Sequence, residues 1–489
     1  VSAFLLNRSS DLGEYIDDDG KKHRMSGVKI GQKGQGRSPK LPEKFERLSD
    51  DFFSLGSSED YYEAVKDIFR DENQRKAIFE ALNDIAYNLE LFETVKEFDV
   101  VQTSLMRDFS ASVVKNQFHR LTEGGAWLTR YAFSFFPNVE TEGDDQNNRL
   151  ELEFNVEPDD MPPSNIHVLI GKNGVGKTTL LKNMINSLEG VGKTYGSVKT
   201  WGGKGFANIV YVSFSAFDRF LEIEDEIIPY FYIGLAKKVG MKNIDELAVD
   251  FAASLFEISS GIGSRAQLWN ETISILESDN TFVDLKIKNW SARKRRKNGV
   301  TRIAWKQDNN IAVHNLGEKT KEELKEQFIG ATVPKFERLS SGHKVILLII
   351  VMLIELVEEK TLVIMDEPEE HLHPPLVSAL IRALSNLLTY RNGVGIIATH
   401  SPVIIQEVPQ NCVWILRRAG EELVAERPEI ETFGENLGIL TSQIFGYEVT
   451  NSGFHTMIQN SVERYQSYKG ALRHFNGQLG GEGKKIFRS

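Results

Sequence analysis

Apolar positions along the chain follow two different periods. Between Ser57 and Arg107 they recur every three to four residues, a spacing that predicts a helical unit. Ala132–Pro137 and Arg149–Val156 instead have the pattern of strands. In the second of these, glutamates alternate with apolar side chains, which indicates a strand with one face in solvent.

Five shorter runs are apolar throughout, and helical patterns lie between several of them. Uninterrupted apolar runs suit strands that are buried on both faces of a sheet. The runs are Ile166–Ile170, Ile209–Val212, Leu362–Met365, Gly395–Thr399 and Cys412–Leu416. Strands that alternate with helices predict an α/β core in which helices cover the sheet.

Composition and charge narrow the class of protein. With 489 residues the chain is long enough for two or three structural units, and its net charge of -11 excludes a protein that coats nucleic acid through overall charge. The longest apolar run, Val345–Val357, is shorter than the about 20 residues that a membrane-spanning helix needs. We therefore expect a soluble, cytoplasmic protein whose single cysteine, Cys412, is a buried thiol.

A phosphate-binding motif follows the first apolar run. The segment GKNGVGKT matches G-x-x-x-x-G-K-[ST] and lies between a predicted strand and a predicted helix, as the motif requires. Glycines let backbone N–H groups wrap around phosphates, Lys177 supplies charge to the β- and γ-phosphates, and the Thr178 hydroxyl suits Mg²⁺. The predicted ATP-binding residues of this P-loop are Gly171, Asn173, Gly174, Gly176, Lys177, Thr178 and Thr179.

Two carboxylates stand at the end of another apolar run. Asp366 is placed to hold Mg²⁺, and Glu367 to orient and activate the water that attacks ATP. His371 and His373 follow closely. Two interpretations of these histidines stay open, a metal site or a role in shaping the loop before the next helix.

Two further segments resemble those of ABC-type ATPases. Leu339–Lys344 (LSSGHK) is similar to the ABC signature L-S-G-G-Q, with His343 in place of the glutamine. The resemblance implies that Ser340, Ser341 and Gly342 cap the γ-phosphate of ATP bound to a second copy of the chain, forming an ATP-sandwich dimer. It also implies that His400, which follows a later strand, contacts this phosphate and has a catalytic role beside Glu367.

One part of the ABC pattern is missing. These ATPases usually carry a glutamine after the strand that follows the P-loop helix, and no glutamine occurs at this place in the chain. Ser213, Ser215 and Asp218 are the candidates for its contact with metal or water.

The order of the motifs resembles the SMC-like and RecF-like ABC ATPases that act on DNA. Within that class, the chain is similar to the PtuA-like ATPases of Septu anti-phage systems and to related ATPases of retron defence systems. The similarity spans roughly residues 45–456 and is carried by Asp60–Glu63, Ala81–Ala86, Ser213–Asp218, Glu431–Asn436, Gly446–Tyr447 and Ser452–His455. It implies ATP and Mg²⁺ as cofactors and an HNH nuclease as partner or, in retrons, also a reverse transcriptase with RNA-linked DNA.

Two functions compete at this point. The first is an ATPase subunit of an anti-phage complex that regulates the partner nuclease. The alternative is an SMC/RecF-like DNA-repair ATPase acting directly on DNA, but the segment between P-loop and signature lacks the sustained heptads of its coiled coil. We expect no nuclease activity of the chain's own, because the residues after His400 contain neither the paired aspartates of a toprim nuclease nor an H-N-H arrangement.

A basic run stands out in this acidic chain. It lies between Trp290 and Trp305 and consists of Arg293, Lys294, Arg295, Arg296 and Lys297. One interpretation is a solvated hairpin whose tryptophans belong to the core. The other is a nucleic-acid contact in which the cations neutralise phosphates and the tryptophans stack on bases.

These patterns divide the chain into five parts. They are an N-terminal region with the helical unit (1–110), the first part of the ATPase core with the P-loop (111–216), an insertion with a helical lobe and the basic run (217–338), the second part of the core with the signature, acidic strand end and His400 (339–420), and a C-terminal partner-contact region (421–489).

Overall fold

A computed structural model gives the three-dimensional structure of the chain. It describes residues 3–6, 12–16, 22–36, 38–42, 45–69, 71–107, 109–111, 113–122, 130–137, 150–157, 160–190, 193–201, 205–223, 227–260, 264–297, 300–307, 310–315, 320–419, 422–445, 454–465, 468–480 and 484.

The described residues include the following strands and α-helices, which are numbered in chain order. The strands are β1 (Ala3–Leu6), β2 (Leu12–Ile16), β3 (Lys22–Gln32), β4 (Phe52–Gly56), β5 (Tyr131–Pro137), β6 (Leu152–Val156), β7 (Ile166–Gly171), β8 (Gly196–Trp201), β9 (Ile209–Ser213), β10 (Tyr230–Gly234), β11 (Arg293–Lys297), β12 (Val300–Gln307), β13 (Asn310–Asn315), β14 (Leu362–Asp366), β15 (Val394–Thr399), β16 (Val413–Ala419) and β17 (Glu422–Glu426). The α-helices are α1 (Glu59–Ile68), α2 (Glu72–Ala81), α3 (Leu89–Val95), α4 (His119–Thr122), α5 (Lys177–Leu188), α6 (Ile244–Ser260), α7 (Ser264–Leu276), α8 (Asn280–Leu285), α9 (Lys321–Glu337), α10 (Ser341–Leu356), α11 (Pro374–Arg391), α12 (Pro402–Ile405), α13 (Leu437–Phe445), α14 (Phe454–Tyr465) and α15 (Tyr468–His474).

A seven-stranded sheet forms the centre of the molecule, in the order β10-β9-β14-β15-β7-β16-β17. Neighbouring strands are parallel except β16 and β17, which are antiparallel. The five uninterrupted apolar runs became β7, β9, β14, β15 and β16, so the predicted α/β core is confirmed. The two edge strands come from the predicted insertion (β10) and the predicted C-terminal region (β17).

Helices and a second sheet cover both faces of the central sheet. On β7, Ile166, Val168 and Ile170 belong to a core shared with α6, α7, α9, α10 and α11. Leu169, which points to the opposite face, packs with the helix α5 and with the antiparallel sheet β6-β5-β8. Burial on both faces explains why these strands read as continuous apolar runs. The run Val345–Val357 forms most of α10 and its C-cap, and the majority of its side chains are buried.

The N-terminal unit, described between residues 3 and 122, has a core of its own. The sheet β1-β2-β3-β4 is antiparallel, and side chains of β3 and β4 pack with α1 to α4 and two π-helical turns, Val101–Leu105 and Val113–Phe118. The helical unit predicted from the spacing of apolar residues is confirmed. Across the boundary to the central domain, Glu59 at the start of α1 forms a buried ion pair with Arg391 at the end of α11.

The insertion carries the basic run on a small antiparallel sheet, β11-β12-β13. Arg293, Arg302 and Lys306 are exposed, whereas Trp305 on the other face is only 3% exposed and its ring lies 5.7 Å from that of Phe328 in α9. Trp290 is half-buried. Trp305 therefore belongs to the core and is not free to stack on bases, whereas Trp290 packs against the same core and is only partly covered.

In the part of the chain that the structure describes, no helix is both long enough and apolar enough to span a membrane.

The ion pair between Glu59 and Arg391 yields a stability prediction. Its side chains are 10% and 5% exposed, so Arg391→Met removes the cation from a buried carboxylate. Gln117 and Tyr390 still donate hydrogen bonds to Glu59, but neither neutralises its charge. We expect a loss of about 3–5 kcal/mol in the free energy of unfolding, measured by urea titration. The control is Arg417→Met, which breaks an exposed pair with Glu426 and should cost no more than about 1 kcal/mol. Equal losses in the two variants would contradict the importance of burial.

Candidate nucleotide-binding site

Three adjacent parallel strands bring the predicted motifs to one edge of the central sheet. The P-loop follows β7, Asp366 and Glu367 stand at the end of β14, and His400 follows β15, which lies between the other two strands. Because parallel strands end at the same edge, residues that are far apart in sequence meet there. This edge is the candidate site.

The P-loop has the backbone that its glycines predict. Gly174 and Gly176 have φ values of 80° and 107°, in the left-handed region that favours glycine. At Gly171 a Cβ would lie 2.7 Å from a carbonyl oxygen of β16, so a side chain has no room. Asn173 and Thr179 are exposed.

Lys177 is buried at the start of α5, with 5% of the residue exposed. Its Nζ donates to the carbonyl oxygens of Gly171 (3.0 Å) and Lys172 (3.2 Å) and lies 3.3 Å from Oε1 of Glu367. The P-loop lysine and the predicted base are thus in direct contact. A phosphate entering the loop would compete with Glu367 for this ammonium group.

The end of β14 fits a magnesium ion. Burial raises the pKa of Asp366 to about 6, although a hydrogen bond from the Thr178 hydroxyl opposes the shift. Among the described residues, Oδ1 of Asp366 and the hydroxyl of Ser213 are buried without a hydrogen-bond partner, and the two residues are paired across β14 and β9. Carboxylate and hydroxyl oxygens are the ligands that Mg²⁺ prefers, so Asp366 and Thr178 would hold it, with Ser213 beside them.

Glu367 contacts side chains from two other motifs. Besides Lys177, it faces His400, whose Nδ1 lies 3.5 Å from Oε1 of Glu367 and 3.4 Å from Oε1 of Glu369. The backbone N–H of His400 also donates to Glu369 (3.1 Å). Glu367 has a φ of 46°, an unusual value for a residue with a side chain, and such strain is typical of functional sites.

The place of the missing glutamine is occupied by a polar cluster. Asp218 forms an ion pair with Lys182 of α5 and accepts a hydrogen bond of 3.0 Å from the Tyr211 hydroxyl. That hydroxyl also lies 3.5 Å from Oδ2 of Asp366. Tyr211 therefore links Asp218 to Asp366, the carboxylate that is predicted to hold Mg²⁺. The Ser215 hydroxyl is used locally, accepting from the N–H of Phe217.

The signature segment lies at the start of α10. The Ser340 side chain caps this helix, Ser340 and Ser341 are exposed, and Gly342 is buried where a Cβ would lie 3.1 Å from the carbonyl oxygen of His371. Among the described residues, His371 and His373 belong to no group of three His, Cys, Asp or Glu side chains that could hold a metal ion.

Three residues beside the site were missed by sequence reasoning. Glu369 positions His400, Tyr211 links Asp218 to Asp366, and Arg418 of β16 donates to the carbonyl oxygen of Val175 in the P-loop (3.4 Å). Glu369 could have been found as the third carboxylate of the DEPE segment. Tyr211 and Arg418 lie within strands. The sequence pattern of a strand indicates which side chains are buried, but it does not indicate that they are near a functional site.

The comparison with curated proteins decides the family. The chain is 36% identical to protein ea59 of Escherichia phage lambda over 495 aligned positions, which cover 97% of this chain and 90% of ea59. The chain belongs to the ea59 family. Residues 273–406 of this ea59-family chain also match the family described as "AAA domain, putative AbiEii toxin, Type IV TA system". Together with the P-loop, this match supports a P-loop ATPase.

Solved structures similar to this ea59-family chain include ATPase heads. The SMC head domain from Thermotoga maritima is 12% identical, with a TM-score of 0.29, covering 62% of this chain and 100% of that one. An ATP-binding cassette of an ABC transporter, MJ1267 in its ADP conformation, is 13% identical, with a TM-score of 0.30, covering 66% of this chain and 98% of that one. At these scores the superposition is weak, and the fold assignment rests on the strand order.

Lys177 provides the first test of the site. Lys177→Ala should weaken ATP binding about tenfold to 100-fold, because a hydrogen bond to a charged group contributes about 1.5–3 kcal/mol. Calorimetric titration with ATP and Mg²⁺ measures the effect. Lys172→Ala, an exposed lysine of the same loop, is the control and should bind almost as the wild type does. Equal affinity in the two variants would contradict the assigned role of Lys177.

Proposed function

We propose that this chain hydrolyses ATP in a composite site formed by two copies and uses the nucleotide state to control a partner protein. The cluster of Lys177, Glu367 and His400 at the ends of three adjacent strands carries the proposal. It combines a phosphate-binding cation with a carboxylate that can accept a proton.

Each group has a distinct part in the proposed reaction. Lys177 and the P-loop N–H groups bind the β- and γ-phosphates, and Glu367 accepts a proton from the water that attacks the γ-phosphorus. His400, held by Glu369, contacts the γ-phosphate. Mg²⁺, held by Thr178 and Asp366, would neutralise charge on the phosphates.

The contact between Lys177 and Glu367 gives the order of events. Without nucleotide the two side chains neutralise each other at 3.3 Å. A γ-phosphate takes over Lys177 and leaves Glu367 free to accept a proton. The base therefore becomes available only when the substrate is bound.

A second copy completes the proposed site. Ser340 and Ser341 are exposed at the N-terminus of a 16-residue helix, whose positive end favours an anion. The resemblance to ABC ATPases implies that this end caps the γ-phosphate bound by the P-loop of the partner copy. ATP then joins the two chains, and hydrolysis releases them.

Substitution of the proposed base tests this cycle. Glu367→Gln keeps the shape of the side chain but accepts no proton, so we expect ATP hydrolysis to fall about 100-fold to 10,000-fold while ATP binding persists. Light scattering should detect a dimer that accumulates with ATP and Mg²⁺. The control is Glu370→Gln, a half-buried carboxylate three residues away. Hydrolysis by Glu367→Gln at the wild-type rate would refute the assignment of the base.

The partner that we propose is an HNH nuclease, as in Septu systems, with a reverse transcriptase and its RNA-linked DNA in retron-type complexes. The phage origin of the ea59 relative and the toxin–antitoxin description of the matched family support a setting in phage biology. Exposed apolar side chains at Phe433, Leu437 and Ile439 offer a contact surface in the C-terminal region. The similarity segments Gly446–Tyr447 and Ser452–Gly453 lie outside the described residues.

Co-expression tests the partnership. The chain should co-purify with an HNH nuclease encoded next to it, and Ile439→Asp, which places a charge on the apolar surface, should weaken the complex. Ile311→Asp is the control, because this isoleucine on the insertion is even more exposed (71% against 49%). Loss of the complex in both variants, or in neither, would contradict this surface.

We also propose a nucleic-acid contact at the insertion. Arg293, Arg302 and Lys306 are exposed on the face of the small sheet that lies opposite the buried Trp305. Without stacking, such a contact is electrostatic, independent of sequence and strongly dependent on salt. This observation supports the alternative in which the ATPase itself touches DNA.

Charge reversal on the insertion tests this contact. Changing Arg293, Arg302 and Lys306 to Glu should weaken DNA binding and reduce the slope of log K against log salt by about 2–3, measured by fluorescence anisotropy. The control variant changes Lys66, Arg107 and Lys238 to Glu, which alters the net charge equally at exposed positions elsewhere. Equal binding by both variants would reject a localised contact.

A further inference from the structure

A chain of hydrogen bonds connects the signature serine to the helical lobe of the insertion. The Ser340 hydroxyl lies 2.8 Å from Nδ1 of His343, and Nε2 of that imidazole lies 2.9 Å from the Thr281 hydroxyl. The Thr281 hydroxyl donates to Oδ1 of Asp279 at 2.7 Å. His343, which stands where the ABC signature has glutamine, is thus the central member.

The position of every proton in this chain follows from its acidic end. The Asp279 carboxylate only accepts, so Thr281 donates to it, and the Thr281 oxygen must accept from Nε2–H of His343. A neutral imidazole then has no proton on Nδ1, and Nδ1 accepts the proton of Ser340. The Ser340 oxygen also accepts from the backbone N–H of His343 (3.4 Å) as the cap of α10.

In this arrangement the single proton of the Ser340 hydroxyl is already donated to Nδ1 of His343. While His343 is neutral and held by Thr281, Ser340 has no proton to donate to a phosphate. Protonation of His343 reverses the hydrogen bond between the imidazole and Ser340, because Nδ1–H then donates to the Ser340 oxygen. The proton of the Ser340 hydroxyl can then be donated to a phosphate.

The surroundings favour the neutral imidazole when no anion is bound. The ring packs edge-on against buried Phe282, with centroids 4.7 Å apart, and burial lowers the pKa of His343. Two titratable groups face it, Asp279 before α8, which opposes this shift, and His373 before α11, which adds to it. His373 in turn lies 3.6 Å from Asp279.

We propose that His343 is a positioning residue for Ser340, and that the signature binds a phosphate by taking up one proton on His343. The inference rests on the proposed ATP-sandwich dimer and adds a regulator to it. Thr281 and Asp279 hold the imidazole in the tautomer that accepts the proton of Ser340. Through this contact, the start of α8 in the insertion controls which hydrogen bonds the signature serine can make.

The sign of the pH dependence follows by linkage. Protonated His343 belongs to the closed state, so closure takes up protons, and its equilibrium constant falls as pH rises above the pKa of His343 in the open state. One proton at each signature corresponds to about tenfold per pH unit, and two signatures to about 100-fold for the dimer.

The experiment measures the dimerisation constant of the full chain with a non-hydrolysable ATP analogue and Mg²⁺, by analytical ultracentrifugation between pH 6.5 and 8.5. The wild type should show a slope approaching two protons per dimer beyond the titration of the nucleotide itself. His343→Gln should form the dimer with only the nucleotide's own slope. Thr281→Val frees the tautomer, so its dimer should be tighter than that of the wild type at pH 8 and less dependent on pH.

His371→Asn is the matched control. It removes a neighbouring exposed imidazole at a left-handed position (φ 71°) that asparagine tolerates, and it should keep the wild-type slope. The same slope in the wild type and in His343→Gln would overturn the inference and leave the ATP-sandwich dimer standing. No nucleotide-induced dimer of the wild type would overturn both.

Discussion

The parallel pairing of β14, β15 and β7 is the constraint on which the site depends. Asp366 is paired with Ala398, and Thr399 with Ile170, so the three strands end level with one another. The P-loop, the acidic pair and His400 must then leave the sheet at the same edge. Their contacts, including the ion pair between Lys177 and Glu367, follow from this register.

Charge balance explains how the site is built without nucleotide. Lys177 is buried and shares its charge with Glu367 and two carbonyl oxygens, whereas Asp366 is buried with one oxygen unpartnered among the described residues. A buried carboxylate oxygen without a hydrogen-bond partner is costly, and a cation relieves that cost. The same geometry therefore accounts for the affinity proposed for phosphate and for Mg²⁺.

Much of this architecture was readable in the sequence, for physical reasons. Strands buried on both faces leave continuous apolar runs, and the P-loop needs glycines wherever φ is positive, as at Gly174 and Gly176. Side-chain partnerships across the fold leave no such pattern. From the sequence, Tyr211 is indistinguishable from other core residues, and Glu369 from other acidic residues. Trp305 lies beside the basic run in sequence and suggested stacking on bases, although its ring lies in the core. His343 departs from the glutamine of the ABC signature. Its proposed role could not be predicted, because it depends on a contact with Thr281, which is 62 residues away in sequence.

The insertion is more than a spacer between the two halves of the core. It contributes β10 to the central sheet, the cationic face around Arg293, and Thr281 beside the signature. The functions proposed for these parts depend on the central claim that the chain is an ATPase. Phosphate release from ATP by the purified wild-type chain is the most direct measurement. We predict release that saturates with ATP and stops when EDTA removes Mg²⁺. Release no greater than that from Lys177→Ala would contradict the claim.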